Sequence, residues 1–343
     1  MISRRGKTEG DIIMSPVSCK TPEFIHRYAD NPILDASRVP FPSVQTYNAG
    51  FTKFQGKYVM VFRNDYNRTR ETFDTAELRI NLGFATSDDG LHWEVAPEPC
   101  WQIHSDEIRH VYDPRLTVID GRCYLCFAMD TMHGVRGGVA VTEDFSKFEI
   151  LSLSAPDNRN MVLFPEKIGG YYMRLERPMP VYGRSPDRKE SFDIYSSISP
   201  DLRFWGGTKL LLGAENMPSC NSKIGPGAPP VRTPAGWLAL THLVNKVPDE
   251  LPAWHPDWHK VYCAGAMLLD LEDPTRILGI APTPVLVPEA PYETEGFRGH
   301  VVFPGGAILE ESGELKIYYG AADTYEAVAT CDVNDLIRFI MQK

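Results

Sequence analysis

Ten strand-like runs recur in five pairs along the chain, and this repetition restricts the fold more than any other feature. The first members are "GKYVMVFRND" (56–65), "GRCYLCFAMD" (121–130), "GGYYMRLERP" (169–178), "AGWLALTHLV" (235–244) and "GELKIYYGAAD" (313–323). Each leaves a glycine-bearing turn and runs through aromatic and aliphatic residues into a polar end. The second members are "LGFATSDDGLHWE" (82–94), "GGVAVTEDFSKFE" (137–149), "IYSSISPDLRFWG" (194–206), "AGAMLLDLEDPTRIL" (264–278) and "YEAVATCDVNDLI" (325–337). The first three of these close on Ser or Thr, one residue, Asp, and then an aromatic. That ending reads as an Asp-led turn with a ring folded back on the sheet, which assigns Asp88 and Asp89 to turn chemistry rather than to a metal.

Five units of about 70 residues, each with paired strands, predict an all-β fold: a five-bladed β-propeller with a short C-terminal helix. The propeller is expected over residues 31–332, after an N-terminal extension (1–30) and before a helical tail (333–343). Leu336, Ile337, Phe339 and Ile340 have helical spacing in that tail. They predict either a closing helix packed on the outer blades or a contact in a homo-oligomer. With the first-member runs taken as inner strands, their polar ends converge on a central pocket. Those ends are Arg63-Asn64-Asp65, Asp130, Glu176-Arg177, Thr241-His242 and Asp323. In "VYDPRLT" (111–117), Asp113 precedes a stiff Pro114, so it is either a turn residue or a reactive acid on a rigid rim.

A formal net charge of −10 argues against nucleic acid as a partner. No run approaches the ~20 apolar residues of a membrane helix. The N-terminal "MISRRGKTEGDIIMSP" lacks the apolar core of a signal peptide. Seven cysteines in no paired framework complete the expectation of a soluble, cytoplasmic protein with reduced thiols. Cys123 and Cys126 have metal-like spacing, but three residues apart on a strand they face opposite ways, so both are read as structural thiols.

A set of stretches in fixed order gives a more specific indication. They are "NPIL" (31–34), "YNAGF" (47–51), "VFRND" (61–65), "ATSDDGLHWE" (85–94), "YDPRLTVIDG" (112–121), "LFPEKIGGYY" (163–172), "GPGAPPVRTPAGWL" (225–238), "LLDLEDP" (268–274), "ETEGFRGHVVFPGGAI" (293–308) and "YYGAADT" (318–324). Together they resemble glycoside hydrolase family 130, the inverting β-mannoside phosphorylases and their hydrolytic relatives. The resemblance implies a five-bladed propeller that cleaves a β-mannoside with inorganic phosphate, giving α-mannose 1-phosphate. It implies Asp113 as general acid, its proton passing through a sugar hydroxyl. It implies Asn48 and Asp323 on the sugar beside the scissile bond, and Arg63, Lys167 and His242 on phosphate or the nearby sugar. Arg79, Arg136, Arg174 and Arg177 are further candidates for the basic pocket.

The chemistry accounts for such a set. An inverting hydrolase needs an acid and a carboxylate base, whereas phosphate is already an anion and needs cations to hold it in line. Arginine suits this through its planar pair of donors. Arg115 is a candidate substrate-binding residue, and is otherwise an ion-pair partner of Asp113 or part of blade packing. His300 and His133 either bind a sugar hydroxyl or cap a turn, and His110 belongs to the segment before Asp113. Phe303, Tyr319 and Trp254 could stack on sugar faces. A hydrolase on the same fold would need a second carboxylate, with Glu176 or Glu295 the nearest candidates. A non-catalytic sugar-binding or interaction propeller is the remaining alternative. Small oligosaccharide and phosphate are the expected partners, and no metal or organic cofactor is expected.

Overall fold

Tight two-residue turns explain where the sheets of this chain begin to pair. Gln55-Gly56 and Asp120-Gly121 both have positive φ at both positions, the geometry that matches the twist of a hairpin. The computed structural model describes residues 19–69, 78–179, 192–246 and 260–342. Within it, strand β1 (His26–Arg27) comes first in the chain. Blade one follows as β2 (Gln45–Phe54), β3 (Lys57–Asp65), β4 (Ile80–Ser87) and β5 (Glu94–Val95). Blade two is β6 (Ile108–Ile119), β7 (Arg122–Thr131), β8 (Gly134–Thr142) and β9 (Glu149–Leu153). Blade three is β10 (Asn158–Leu163), β11 (Tyr172–Pro178), β12 (Ile194–Ser199) and β13 (Gly206–Leu212).

Blade four pairs β14 (Lys223–Pro226), β16 (Gly236–Lys246), β17 (Lys260–Leu269) and β18 (Ile277–Ile280), with β15 (Val231–Thr233) also on β16. Blade five is β19 (Val302–Leu309), β20 (Glu314–Ala321) and β21 (Tyr325–Asp332), and β1 is its outermost strand. The N-terminal segment thus closes the ring: His26 pairs with Thr330, and Leu34 bridges Glu326. Helix α1 (Pro291–Thr294) is a single turn. Helix α2 (Val333–Ile340) starts at Asp332, whose side chain accepts the Asn334 N–H. It buries Leu336 and Ile340 in the same core as Leu315 and Ile317 of β20. The tail is therefore a helix packed on blades four and five.

One expectation shifts by a strand. The glycine-led runs are the second strand of each blade, not the inner one. The inner strands are β2, β6, β10, β14 and β19, which meet their neighbours around the axis. Cys123 and Cys126 do face opposite sides of β7, in two separate clusters, and all seven cysteines are free thiols. Among the described residues no helix is long and apolar enough to cross a membrane.

Arg115 ties these inner strands together. Its guanidinium is buried and donates to four backbone carbonyls: Gly227 (2.7 Å), Asn48 (3.0 Å), Pro114 (2.6 Å) and Pro304 (3.3 Å). Those carbonyls belong to four blades. The strands come so close that a Cβ on Gly50 would lie 2.8 Å from the Arg115 Cα, and one on Gly305 would lie 2.0 Å from the Ala49 oxygen. Arg115 is thus a packing residue, neither a sugar ligand nor an ion-pair partner of Asp113. Each acceptor it abandons would be left buried, at about 1–3 kcal/mol apiece. Arg115→Met is expected to lower unfolding free energy by at least ~3 kcal/mol in urea titrations. A midpoint equal to wild type would remove Arg115 from this role.

Candidate active site

Three inner strands carry the same irregularity. Pairing slips between Tyr47 and Gly50 on β2, between Tyr112 and Arg115 on β6, and between Arg159 and Val162 on β10. Inside each bulge lies one left-handed residue: Asn48 (φ 56°), Asp113 (φ 53°) and Asn160 (φ 56°). Asn and Asp tolerate this region best among residues with a Cβ. A bulge re-aims its side chain, and here three equivalent bulges aim three polar groups into one axial pocket. Asn48, Arg63, Asp113, Arg177, Phe303 and Asp323, all named from sequence, line it. Seven more were not anticipated: Tyr47, Tyr112, Arg159, Asn160, Tyr262, Arg298 and Val301. The available signal was the repeat of "YNAG" and "YDPR" in "RNMV" at 159–162.

On the acidic side, Asp113 Oδ1 accepts from Asn48 Nδ2 at 3.1 Å and lies 3.5 Å from Arg63 Nη1. Arg63 is mainly committed elsewhere, forking onto Asp65 at 2.7 and 2.9 Å between the rings of Tyr47 and Tyr112. Asp65 also accepts from Arg68 at 2.8 Å and from the Tyr47 hydroxyl at 3.0 Å. Burial alone would raise the Asp65 pKa, but the Arg63 and Arg68 charges and these bonds outweigh it and hold the carboxyl below its usual range. Asp323, also left-handed (φ 48°), pairs with Arg298 at 3.3 Å.

On the other side stand Arg159 and Arg177, a register pair on β10 and β11. Among the described residues neither meets a carboxylate at ion-pair distance, and the Nε of each is buried without a hydrogen-bond partner. Arg159 donates to the Tyr112 hydroxyl at 3.2 Å, and that hydroxyl donates to Asp130 at 2.7 Å. Arg177 Nη1 meets His242 Nε2 at 3.0 Å, while His242 Nδ1 lies 3.1 Å from the Pro226 carbonyl. Burial, then the Arg177 charge, push the His242 pKa well below its ordinary value. The ring is therefore neutral, donating from Nδ1 and accepting at Nε2. Burial, then the Arg159 charge, bring the Arg177 pKa down to about 9. Two guanidiniums short of counter-charge in one buried wall have the chemistry to hold an anion.

Several residues named from sequence stand elsewhere. Lys167 is exposed in the β10–β11 turn, at the far end of those strands from Arg159 and Arg177, over the Tyr172 ring. Arg174 is buried but bound to Glu176 (2.8 Å) and Ser197 (2.9 Å), with Trp205 beneath it. Arg79 lies outside the lining, its backbone N–H donating to Asn67. Arg136 donates to the Ser154 carbonyl. His242 stands behind Arg177 rather than in the pocket, and Asp130 holds His110 and Tyr112. His300 is left-handed (φ 60°) beside the lining residue Val301, and its carbonyl accepts the Tyr262 N–H. His133 is exposed in a turn. Tyr319 is fully buried and donates to Glu293, so no sugar reaches it. Glu176 is tied to Arg174 and Asn158, and Glu295 is exposed. Trp254 lies outside the described residues.

The geometry agrees with what the chain is similar to. The family profile for glycoside hydrolase family 130, described as beta-1,4-mannooligosaccharide phosphorylase, matches residues 8–342. The chain is 29% identical to the beta-1,2-mannobiose phosphorylase of Listeria innocua, over 90% of this chain and 96% of that protein. It is 30% identical to the beta-1,4-mannooligosaccharide phosphorylase of Ruminococcus albus, over 95% of this chain and 92% of that protein. The solved complex of the Listeria innocua enzyme with beta-1,2-mannobiose superposes with a TM-score of 0.78 at 26% identity, covering 92% of this chain and 99% of that one. With its profile matched almost end to end, this chain belongs to glycoside hydrolase family 130.

Proposed function

We propose that the protein is an inverting β-mannoside phosphorylase, with inorganic phosphate as co-substrate and α-mannose 1-phosphate as product. The single observation that carries this is the Arg159–Arg177 wall facing the Asp113 side of the pocket. A phosphate dianion supplies the charge that these guanidiniums lack. The mannosyl unit fits between the two sides, its hydroxyls facing Asn48 and Asp323. Asp113 gives its proton to the leaving oxygen, through a sugar hydroxyl as the family resemblance implies. The glycosidic C–O bond breaks as phosphate oxygen bonds the anomeric carbon from the opposite face, which inverts the configuration. Mannose or glucose stands in the leaving position.

A water-using enzyme would need a base, and neither Glu176 nor Glu295 lines the pocket. It would also have no anion to balance Arg159 and Arg177. Incubation with a panel of β-mannobioses and mannosyl-glucose, with and without phosphate, tests the reading. Cleavage that requires phosphate, and synthesis from α-mannose 1-phosphate, are the expected results. Asp113→Asn is expected to cost at least ~100-fold in kcat with the fold intact. Undiminished release of free mannose in phosphate-free buffer would instead make it a hydrolase, and no turnover on any mannoside would favour a binding propeller.

The phosphate site is expected at Arg159 and Arg177, not at Lys167. Replacing either arginine by Met is expected to raise the phosphate KM by ~10-fold or more, in line with loss of a charge-assisted hydrogen bond. Lys167→Met is expected to leave it unchanged, and the reverse pattern would refute the assignment.

Arg177 also sets a pH dependence. It is cationic below about pH 9 and loses its charge as pH rises through that value. Phosphate KM is therefore expected to be flat from about pH 7.5 to 8.5 and to climb steeply above 9. A KM that stays flat to pH 10 would show that Arg177 keeps its charge or does not contact phosphate.

A further inference from the structure

Glu326 is a fully buried carboxyl that nothing in the reaction above uses. It sits on β21 among Ala327, Val328 and Ala329, in a stretch of the strand that is otherwise apolar. Its backbone closes the ring, donating to Leu34 O at 3.0 Å and accepting from Ile33 N at 2.9 Å. Its side chain crosses to blade one, where Oε1 accepts the Ala49 N–H at 2.6 Å. Its Oε2 is buried without a hydrogen-bond partner. A carboxyl in that position costs folding free energy, so packing alone gives no reason to keep it.

The peptide it touches is the one that follows Asn48. The oxygen of the same peptide accepts from Arg115 Nη1 at 3.0 Å. One peptide unit is therefore gripped at both ends, by a cation on its C=O and a carboxyl on its N–H. That unit sets the exit from the left-handed Asn48, whose amide donates to Asp113. The amide has no slack, since a Cβ on Gly320 would lie 2.4 Å from Asn48 Oδ1.

We propose that Glu326 is a positioning residue for the catalytic acid: from the core of blade five it locks the Asn48–Ala49 peptide against Arg115, and so aims the Asn48 amide at Asp113. Burial, against the opposing pull of the Ala49 N–H, pushes its pKa up to about 8. At neutral pH it is then an uncharged acid whose oxygen accepts one hydrogen bond, which a glutamine amide can replace.

This role rests on Asp113 as the acid, and a double-mutant cycle with Asn48 tests it. Glu326→Met is expected to lower kcat ~10-fold or more with the phosphate KM within twofold, while Glu326→Gln restores most of kcat. Because the effect passes through Asn48, Glu326→Met combined with Asn48→Ala is expected to be no slower than Asn48→Ala alone. If Glu326→Met does not fold, Glu326→Asp, which withdraws the carboxyl from the Ala49 N–H, is expected to give the same split. Wild-type kcat in the Met or Asp variant, or losses that multiply with Asn48→Ala, would overturn the inference. Failure of the underlying reading is distinct: Asp113→Asn would then itself turn over at the wild-type rate.

Discussion

One guanidinium at the axis, that of Arg115, sets the frame for everything else. Where five inner strands meet, their carbonyls point at one another and not along a ladder, and buried acceptors without donors are costly. A planar cation with five donors can serve several of them at once, and Arg115 serves four from four blades. Its position also divides the axial channel. On β2, β6 and β19 the residues before the junction face the polar pocket, while Phe51, Leu116 and Ile308 beyond it line a second hollow of about 360 Å³.

On that floor the site is made by repetition with variation. The same bulge occurs in blades one, two and three, so the backbone supplies three equivalent mounts and the sequence decides what each one holds. Asn48 and Asp113 are close enough to bond, and Asn160 begins the basic wall with Arg159 beside it. Left-handed backbone at non-glycine residues costs of order 1 kcal/mol or more each. Four such sites around one pocket, Asn48, Asp113, Asn160 and Asp323, indicate that side-chain direction was retained over backbone ease.

The sequence made the five-fold count legible because hairpin turns are loud signals: a glycine with positive φ between two apolar runs leaves few alternatives. The inner strands are quiet by comparison. The first seven residues of β2 are all buried, so they show no alternation to mark a face. Taking the glycine-led runs as inner strands moved every inference one strand outward. Arg63, Arg177 and Asp323 still emerged, because second strands also reach the pocket at their polar ends. Arg174 and Lys167 did not. Three residues from Arg177 on one strand, Arg174 faces the opposite way and finds Glu176 and Trp205 instead of the pocket. Lys167 sits in the β10–β11 turn, and nothing in its local pattern gives its height along the axis. Arg159 and Asn160 went unseen because "DNRNMVLF" has neither a turn glycine nor an alternating pattern.

The supports behind the basic wall follow an electrostatic logic of their own. A carboxylate against Arg177 would fix its direction but cancel the charge an anion needs. His242 fixes the direction without that cost, since burial holds it neutral and its Nδ1 bond to Pro226 turns the Nε2 lone pair toward Arg177. Arg159 is handled by one more step of separation: Asp130 orients the Tyr112 hydroxyl, and the hydroxyl, not the carboxylate, meets the guanidinium. On the acidic side the rule reverses, and Arg63 forks directly onto Asp65. That pairing leaves Arg63 only a long contact to Asp113, so it can steady that carboxyl without neutralising the pocket. Direct ion pairs on one side, and neutral intermediaries on the other, divide one small cavity into an acidic half and a basic half.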